Sequence, residues 1–229
     1  MNFEPYFEKY RHLVEQVDAA FAKIQTAFDD CVTCNVGCSD CCYALFDLSL
    51  VEALFIKKEF EANLSADTRA KIIERANDAD RKIYRLKRQA HKDQQAGKPE
   101  KEIFDWMSAQ RVRCPLLSEK DQCELYESRP ITCRLYGVPT VIGDQAHTCG
   151  LSGFKEGESY PTAKLDAIHQ RLYDISSELA REIQSRYPKL AEMLVPLSMA
   201  LLTDYTEEYL GAISSDPQPA EKKGSEKGE

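Results

Sequence analysis

Nine cysteines, most of them in two bunches, are the residues of this chain whose types and spacing could do chemistry. The first bunch is Cys34, Cys38, Cys41 and Cys42, with Cys31 just upstream; the second is Cys114, Cys123 and Cys133, with Cys149 further on. Spacings of two or three residues let a turn bring successive sulfurs to one ion. Iron–sulfur clusters are held by thiolates at similar spacings. Only four histidines are present, so a metal site here must be thiolate-rich. The eight cysteines from Cys34 to Cys149 are the candidate ligands. They make either two four-thiolate sites or one site with spectators, and spacing alone leaves both open. Neighbouring side chains usually diverge, so for adjacent Cys41 and Cys42 one ligand and one buried or second-site thiol is the simpler geometry. Cys31, at the end of an apolar helical stripe, reads as a packing residue.

Four thiolates leave a net charge near −2 around Zn²⁺, and the same holds for an oxidised four-iron cluster. Buried charge of that kind needs cations or N–H donors beside it. Arg129 and Arg134 are the candidates for that role, as neighbours of the thiolates rather than ligands. Pro130 suits the N1 position of a short helical turn carrying Cys133, and Gly137 suits its end.

The cluster Cys34 to Cys42, followed by Arg113-Cys114-Pro-Leu and by Cys123-x-Leu-Tyr-Glu-x-Arg-Pro-x-x-Cys133-Arg, resembles the YkgJ-like cysteine-cluster family. These are also called the CxxCxxCC family of zinc- or iron-chelating domains. The resemblance runs over about half the chain, from Cys34 to Cys149, and implies metal chelation. The family opens with Cys-x2-Cys-x2-Cys-Cys, whereas three residues separate Cys34 from Cys38 here; Cys31-x2-Cys34 offers another register.

The elements that must position these thiols are helices. Phe3, Phe7, Tyr10, Val14, Val17, Phe21, Ile24 and Phe28 step at helical period through residues 3–30. Ser49 and Glu52 fit a capping box ahead of a second helix. Ser65 and Asp67 open a third, charged helix that Gly97-Lys98-Pro99 ends. A shorter one covers 100–110 and carries Trp106, expected in the core. Leu165, Ile168, Leu172, Ile175 and Leu179 form a bundle or coiled-coil seam, and 190–210 reads as a final apolar helix. Helical period is lost from Cys114 to Gly153, where the only candidate strand is 138–142. So long an irregular stretch in a compact domain calls for crosslinks, which metal supplies. The expected fold is all-α: one helical domain over 1–213, with the irregular Cys-rich segments 31–42 and 114–153 packed against the bundle. A disordered tail, 214–229, follows.

Composition limits the partners. At 43% hydrophobic residues the chain can build a core without disulfides. A net charge of −8 argues against general nucleic-acid binding. The basic run Arg81-Lys82, Arg85, Lys87-Arg88, Lys92 reads as the solvated face of a charged helix, with a nucleic-acid or acidic-partner patch as the alternative. The most apolar stretch, 190–202, is too short for a membrane span and contains Glu192. The start of the chain has no basic leader or apolar h-region, so a cytoplasmic location is expected, where clustered thiols point to metal or redox chemistry. The adjacent pair and the surplus of thiols favour an iron–sulfur cluster, with zinc as the other choice. No glycine-rich phosphate loop or Ser–His–Asp set supports a particular enzyme. The competing reading is a zinc-stabilised helical adaptor that docks an unknown protein partner through the Leu165–Leu179 seam.

Overall fold

A computed structural model describes residues 1–213 apart from Val36, Asp144 and Glu156. The tail 214–229, expected to be disordered, lies outside the described residues. The architecture is mostly α-helical, with small sheets. The helices are α1 (Glu4–Ala27), α2 (Leu50–Asn63), α3 (Ala66–Gln95), α4 (Glu100–Ser108), α5 (Ile131–Leu135), α6 (Leu165–Glu182), α7 (Leu197–Leu202) and α8 (Glu207–Leu210). The strands are β1 (Asp47–Ser49), β2 (Thr140–Ile142), β3 (Gln145–His147), β4 (Ala163–Lys164) and β5 (Leu194–Pro196).

Helix α2 lies at the centre because nearly every face of it is apolar: Leu50, Val51, Ala53, Leu54, Phe55 and Ile56 are all buried. A helix apolar all round has to be enclosed by others. The expected capping box starts it, with the Ser49 N–H donating to Glu52 Oε2 at 3.2 Å. One apolar cluster joins α1, α2 and α6 through Phe7, Tyr10, Leu13, Phe55, Leu172 and Leu179. The seam expected at Leu165–Leu179 is therefore covered from within, packed on α1 and α2. A second cluster joins α2 to α3 and α7, with Ile56, Ile72, Ala200 and Leu201 fully buried.

Helix α3 is capped at Ser65, whose hydroxyl accepts the Thr68 N–H at 3.2 Å, and ends at Gly97 with φ +81°. Its buried stripe is Ile72, Ala76 and Ala79. Beyond Ala79 it carries the basic run, whose Arg and Lys side chains are exposed, with Arg81 paired to Asp78 and Lys87 to Asp47. Helix α4 packs on α3 without burying any residue fully, so Trp106 is half-buried rather than a core residue.

The final segment corrects an expectation. Residues 190–210 are broken into a 3-10 turn (Leu190–Glu192), β5, α7 and α8 instead of one helix. Pro196 has no N–H for an intrahelical bond, and Leu194–Pro196 pairs antiparallel with Ser49–Asp47. The irregular region also holds more strand than expected: β2 pairs antiparallel with β3 and parallel with β4.

Candidate metal centre

The irregular segments are anchored to both apolar clusters, and this fixes where their thiols point. The chain leaves α1, passes Cys31, and enters a 3-10 turn at Asp40–Tyr43 that presents Cys41 and Cys42. That turn is zipped to the next segment: the Cys42 carbonyl accepts the Cys114 N–H at 2.7 Å, and the Tyr43 carbonyl accepts the Val112 N–H at 3.1 Å. Residues 114–124 then fold back on themselves. The Ser118 N–H donates to Gln122 at 2.8 Å, the Glu124 N–H donates to Leu116 at 2.8 Å, and Leu117 bridges Cys123. Leu116 and Leu125 seat this hairpin in the second apolar cluster. Arg113 donates to the Leu117 and Ser118 carbonyls and holds its tip. Pro130 is the N-cap of α5, one residue before the first helical position expected for it, and Ile131 and Leu135 root that helix in the first cluster, with Cys133 between them.

The result is a cavity of about 310 Å³ lined by Cys38, Cys41, Cys42, Cys114, Cys123 and Cys133. Among the described residues, no three or more His, Cys, Asp or Glu side chains already converge on one point as the ligands of a single ion. The thiols ring a space instead. All nine cysteines are unpaired.

Backbone N–H groups near several of the sulfurs favour their ionised forms. The Leu151 N–H donates to the Cys149 sulfur at 3.4 Å, and the backbone N–H groups of Leu116, Leu117 and Leu125 lower the cost of ionising Cys114 and Cys123, the Leu117 N–H itself donating to the Cys114 carbonyl at 3.1 Å. N–H donors two or three residues on are the local partners that stabilise a thiolate over a thiol. Burial works the other way in the metal-free protein. It pushes Cys114 up to about 12 and Cys34 up to about 11, and holds Cys123 and Cys133 above the usual thiol range. Cys41 is the exception: a hydrogen bond with Cys42 lowers it to about 7 and raises Cys42 in exchange. A cation in the cavity would reverse the cost of burial, because ligating thiols must be deprotonated.

Arg129 borders the same cavity and favours the ionised forms of Cys41 and Cys123. Its guanidinium stacks 4.0 Å from the centre of the Tyr126 ring. Arg134 is turned elsewhere. It is buried, donating to Asp18 at 2.6 Å, to the Arg129 carbonyl at 2.8 Å and to the Glu127 carbonyl. It therefore braces α5 against α1 and leaves the thiols to Arg129. Cys34 and Cys149 are not among the residues that line the cavity. Cys31 packs against the first apolar cluster, and its carbonyl accepts the Gly153 N–H at 2.8 Å.

Two site residues escaped sequence reasoning. Glu52, legible only as a cap, also accepts the Ile131 N–H at 3.2 Å and so positions the Cys133 helix. Asp40 lies 3.6 Å from the Cys149 sulfur; its place between Cys38 and Cys41 was the only available signal.

A helical scaffold that gathers thiols from three separate segments around one cavity defines a thiolate-rich metal-binding protein. Residues 31–150, just over half of the chain, match the CxxCxxCC family model, described as a putative zinc- or iron-chelating domain, and the chain belongs to that family. No curated protein and no solved structure matches the chain. No helix among the described residues is long and apolar enough to cross a membrane.

Proposed function

We propose that this chain is an iron–sulfur protein whose cluster is held in the cavity ringed by Cys38, Cys41, Cys42, Cys114, Cys123 and Cys133. The observation that carries the reading is the arrangement of six thiols around about 310 Å³ rather than about one point. A single zinc needs four donors about 2.3 Å from one centre. A cluster takes its thiolates at separate irons, and soft thiolate donors with no histidine suit it. The bound group would supply one-electron chemistry.

The chain's own residues do the rest. The backbone N–H groups of Leu116, Leu117 and Leu125 favour ionised Cys114 and Cys123, and Arg129 sets a positive charge beside the cavity. Ala79, Ile83, Leu116 and Leu197 form an apolar wall that limits water, a lever on redox potential. Thiols of this kind belong in a reducing compartment, which agrees with the cytoplasm. The second reading is zinc in the same thiols as a structural clip. Its adaptor form is weakened because Leu172, Ile175 and Leu179 are buried within the chain.

The test is the iron, zinc and acid-labile sulfide content of protein purified without oxygen, with its visible spectrum. Iron with equimolar sulfide and a brown colour is the expected result. Colourless protein holding zinc without sulfide would overturn the cluster and leave the clip.

A further inference from the structure

We infer that this chain pairs with a second copy of itself along the exposed face of α3, the two helices running antiparallel. A row of charges that the thiol cavity does not use marks this face. Counting by four and three along α3 meets Asp67, Lys71, Glu74, Asp78, Arg81, Arg85, Arg88 and Lys92, and every one is charged. Steps of four and three keep residues on one face of a helix, the geometry of a helix–helix seam. All of these side chains are exposed. They lie across the helix from the buried stripe of Ile72, Ala76 and Ala79, which half-buried Ile83, Leu86 and Ala90 continue. Asp78 and Arg81 pair with each other at 2.6 Å. Among the described residues, the rest of the row has no ion-pair partner.

The signs along this row are segregated. Acids fill its first half, apart from Lys71, and cations fill its second half. A second copy laid antiparallel, about a twofold axis between residues 79 and 80, sets Asp67 against Lys92, Glu74 against Arg85 and Asp78 against Arg81 of that copy. Symmetry makes each of these contacts twice. At about 100° per residue, the members of each pair lie within about 60° of each other around the helix. Lys71 and Arg88 are the one like-charged match, and they lie about 100° apart, at opposite edges of the face. A parallel copy in register would set like charge against like at every position. Tyr84, 64% exposed, stands at the edge of the same face just over one turn from the axis, an aromatic of the kind that interfaces favour. The acids also decide the kind of partner. Asp67, Glu74 and Asp78 would repel a nucleic acid or a uniformly acidic protein lying along the helix, whereas a second copy matches both halves. The inference does not depend on what the cavity holds.

Exposed ion pairs are individually weak and are screened by salt, so this dimer belongs to low salt and high protein concentration. The experiment is sedimentation equilibrium of the full chain at about 0.01 M and about 1 M salt. The protein is kept reduced and free of oxygen, so that thiol crosslinks do not mimic association. Dimer at low salt and monomer at high salt is the expected result. Glu74→Arg and Arg85→Glu should each raise the dimer dissociation constant about tenfold, because each sets like charges together twice. Combining Glu74→Arg with Arg85→Glu restores the match and should recover the parent value. Both positions are exposed, so the circular dichroism and metal content of these variants should equal the parent's. Monomer at every concentration in low salt would overturn the inference, and capture of a nucleic acid or an acidic protein by that monomer would assign the basic half to such a partner instead. A dimer indifferent to salt or to both single variants, or one that the double variant does not restore, would overturn it as well.

Discussion

Glu52, in the first turn of α2, accepts the backbone N–H of Ile131 at 3.2 Å while its other oxygen accepts the N–H of Ser49. One buried carboxyl thus caps its own helix and fixes the start of α5, the helix that carries Cys133. The central helix of the bundle and the wall of the thiol cavity are joined through this side chain.

Replacing Glu52 by Ala should cost about 3 kcal/mol, because buried N–H groups left without partners each lose about 1–3 kcal/mol. Chemical denaturation at neutral pH checks this. The Gln variant tests the charge. Burial raises the Glu52 carboxyl above its ordinary value of 4.5, so its contribution is fully present below that value and is lost as pH rises through the raised one. Stability of Glu52→Gln relative to the parent should therefore improve from pH 4 toward neutrality. A constant difference across that range would show that Glu52 is not perturbed.

How much of this was legible in the sequence follows the range of the interactions. Ser49 with Glu52, Ser65 before α3, Gly97 after it, and Pro130 before α5 act within a few residues, and each is found within a residue of where the sequence puts it. The apolar run 190–210 has the hydropathy of a helix, but Leu194–Pro196 pairs with Asp47–Ser49, far away in sequence. Periodicity does not report such pairing. Arg134 has the same limit: its charge pointed to the thiolates, whereas the fold brings Asp18 of α1 to it at 2.6 Å. The thiols themselves were legible because their chemistry is rare. Their grouping was not, since it depends on the Cys42–Cys114 and Leu117–Cys123 pairings.

Cys114→Ser and Cys133→Ser should each lower bound metal to less than half of the parent value and destabilise the 114–153 region. Both thiols are inside the cavity, held by different segments, so neither can substitute for the other. Metal analysis of the purified variants decides it. Parent-level metal in both would remove these two residues from the ligand set.

Metal affinity should rise with pH. In the metal-free protein burial holds Cys114 up at about 12 and keeps Cys123 and Cys133 raised, so at neutral pH these thiols carry protons that binding must displace. Each displaced proton changes the apparent constant by about tenfold per pH unit. Chelator competition at pH 6.5 and 7.5 should therefore show affinity falling by at least tenfold at the lower pH, with proton release detectable in weakly buffered solution. An affinity independent of pH would mean that the thiols are already ionised before metal arrives.

Gly137 follows α5 where the chain passes against Cys34. A Cβ built there would stand 2.2 Å from the Cys34 sulfur and 3.6 Å from the Phe21 ring. Gly137→Ala must move Cys34 or the end of α5, and crowding of this kind costs about 1–3 kcal/mol. Gly150→Ala is the control, since nothing lies within 4 Å of its Cβ position. Thermal melts should show a clear drop for the first variant and little change for the second. Equal melting temperatures for the two variants would show that the Cys34 loop yields freely and that its approach to Gly137 carries no energy.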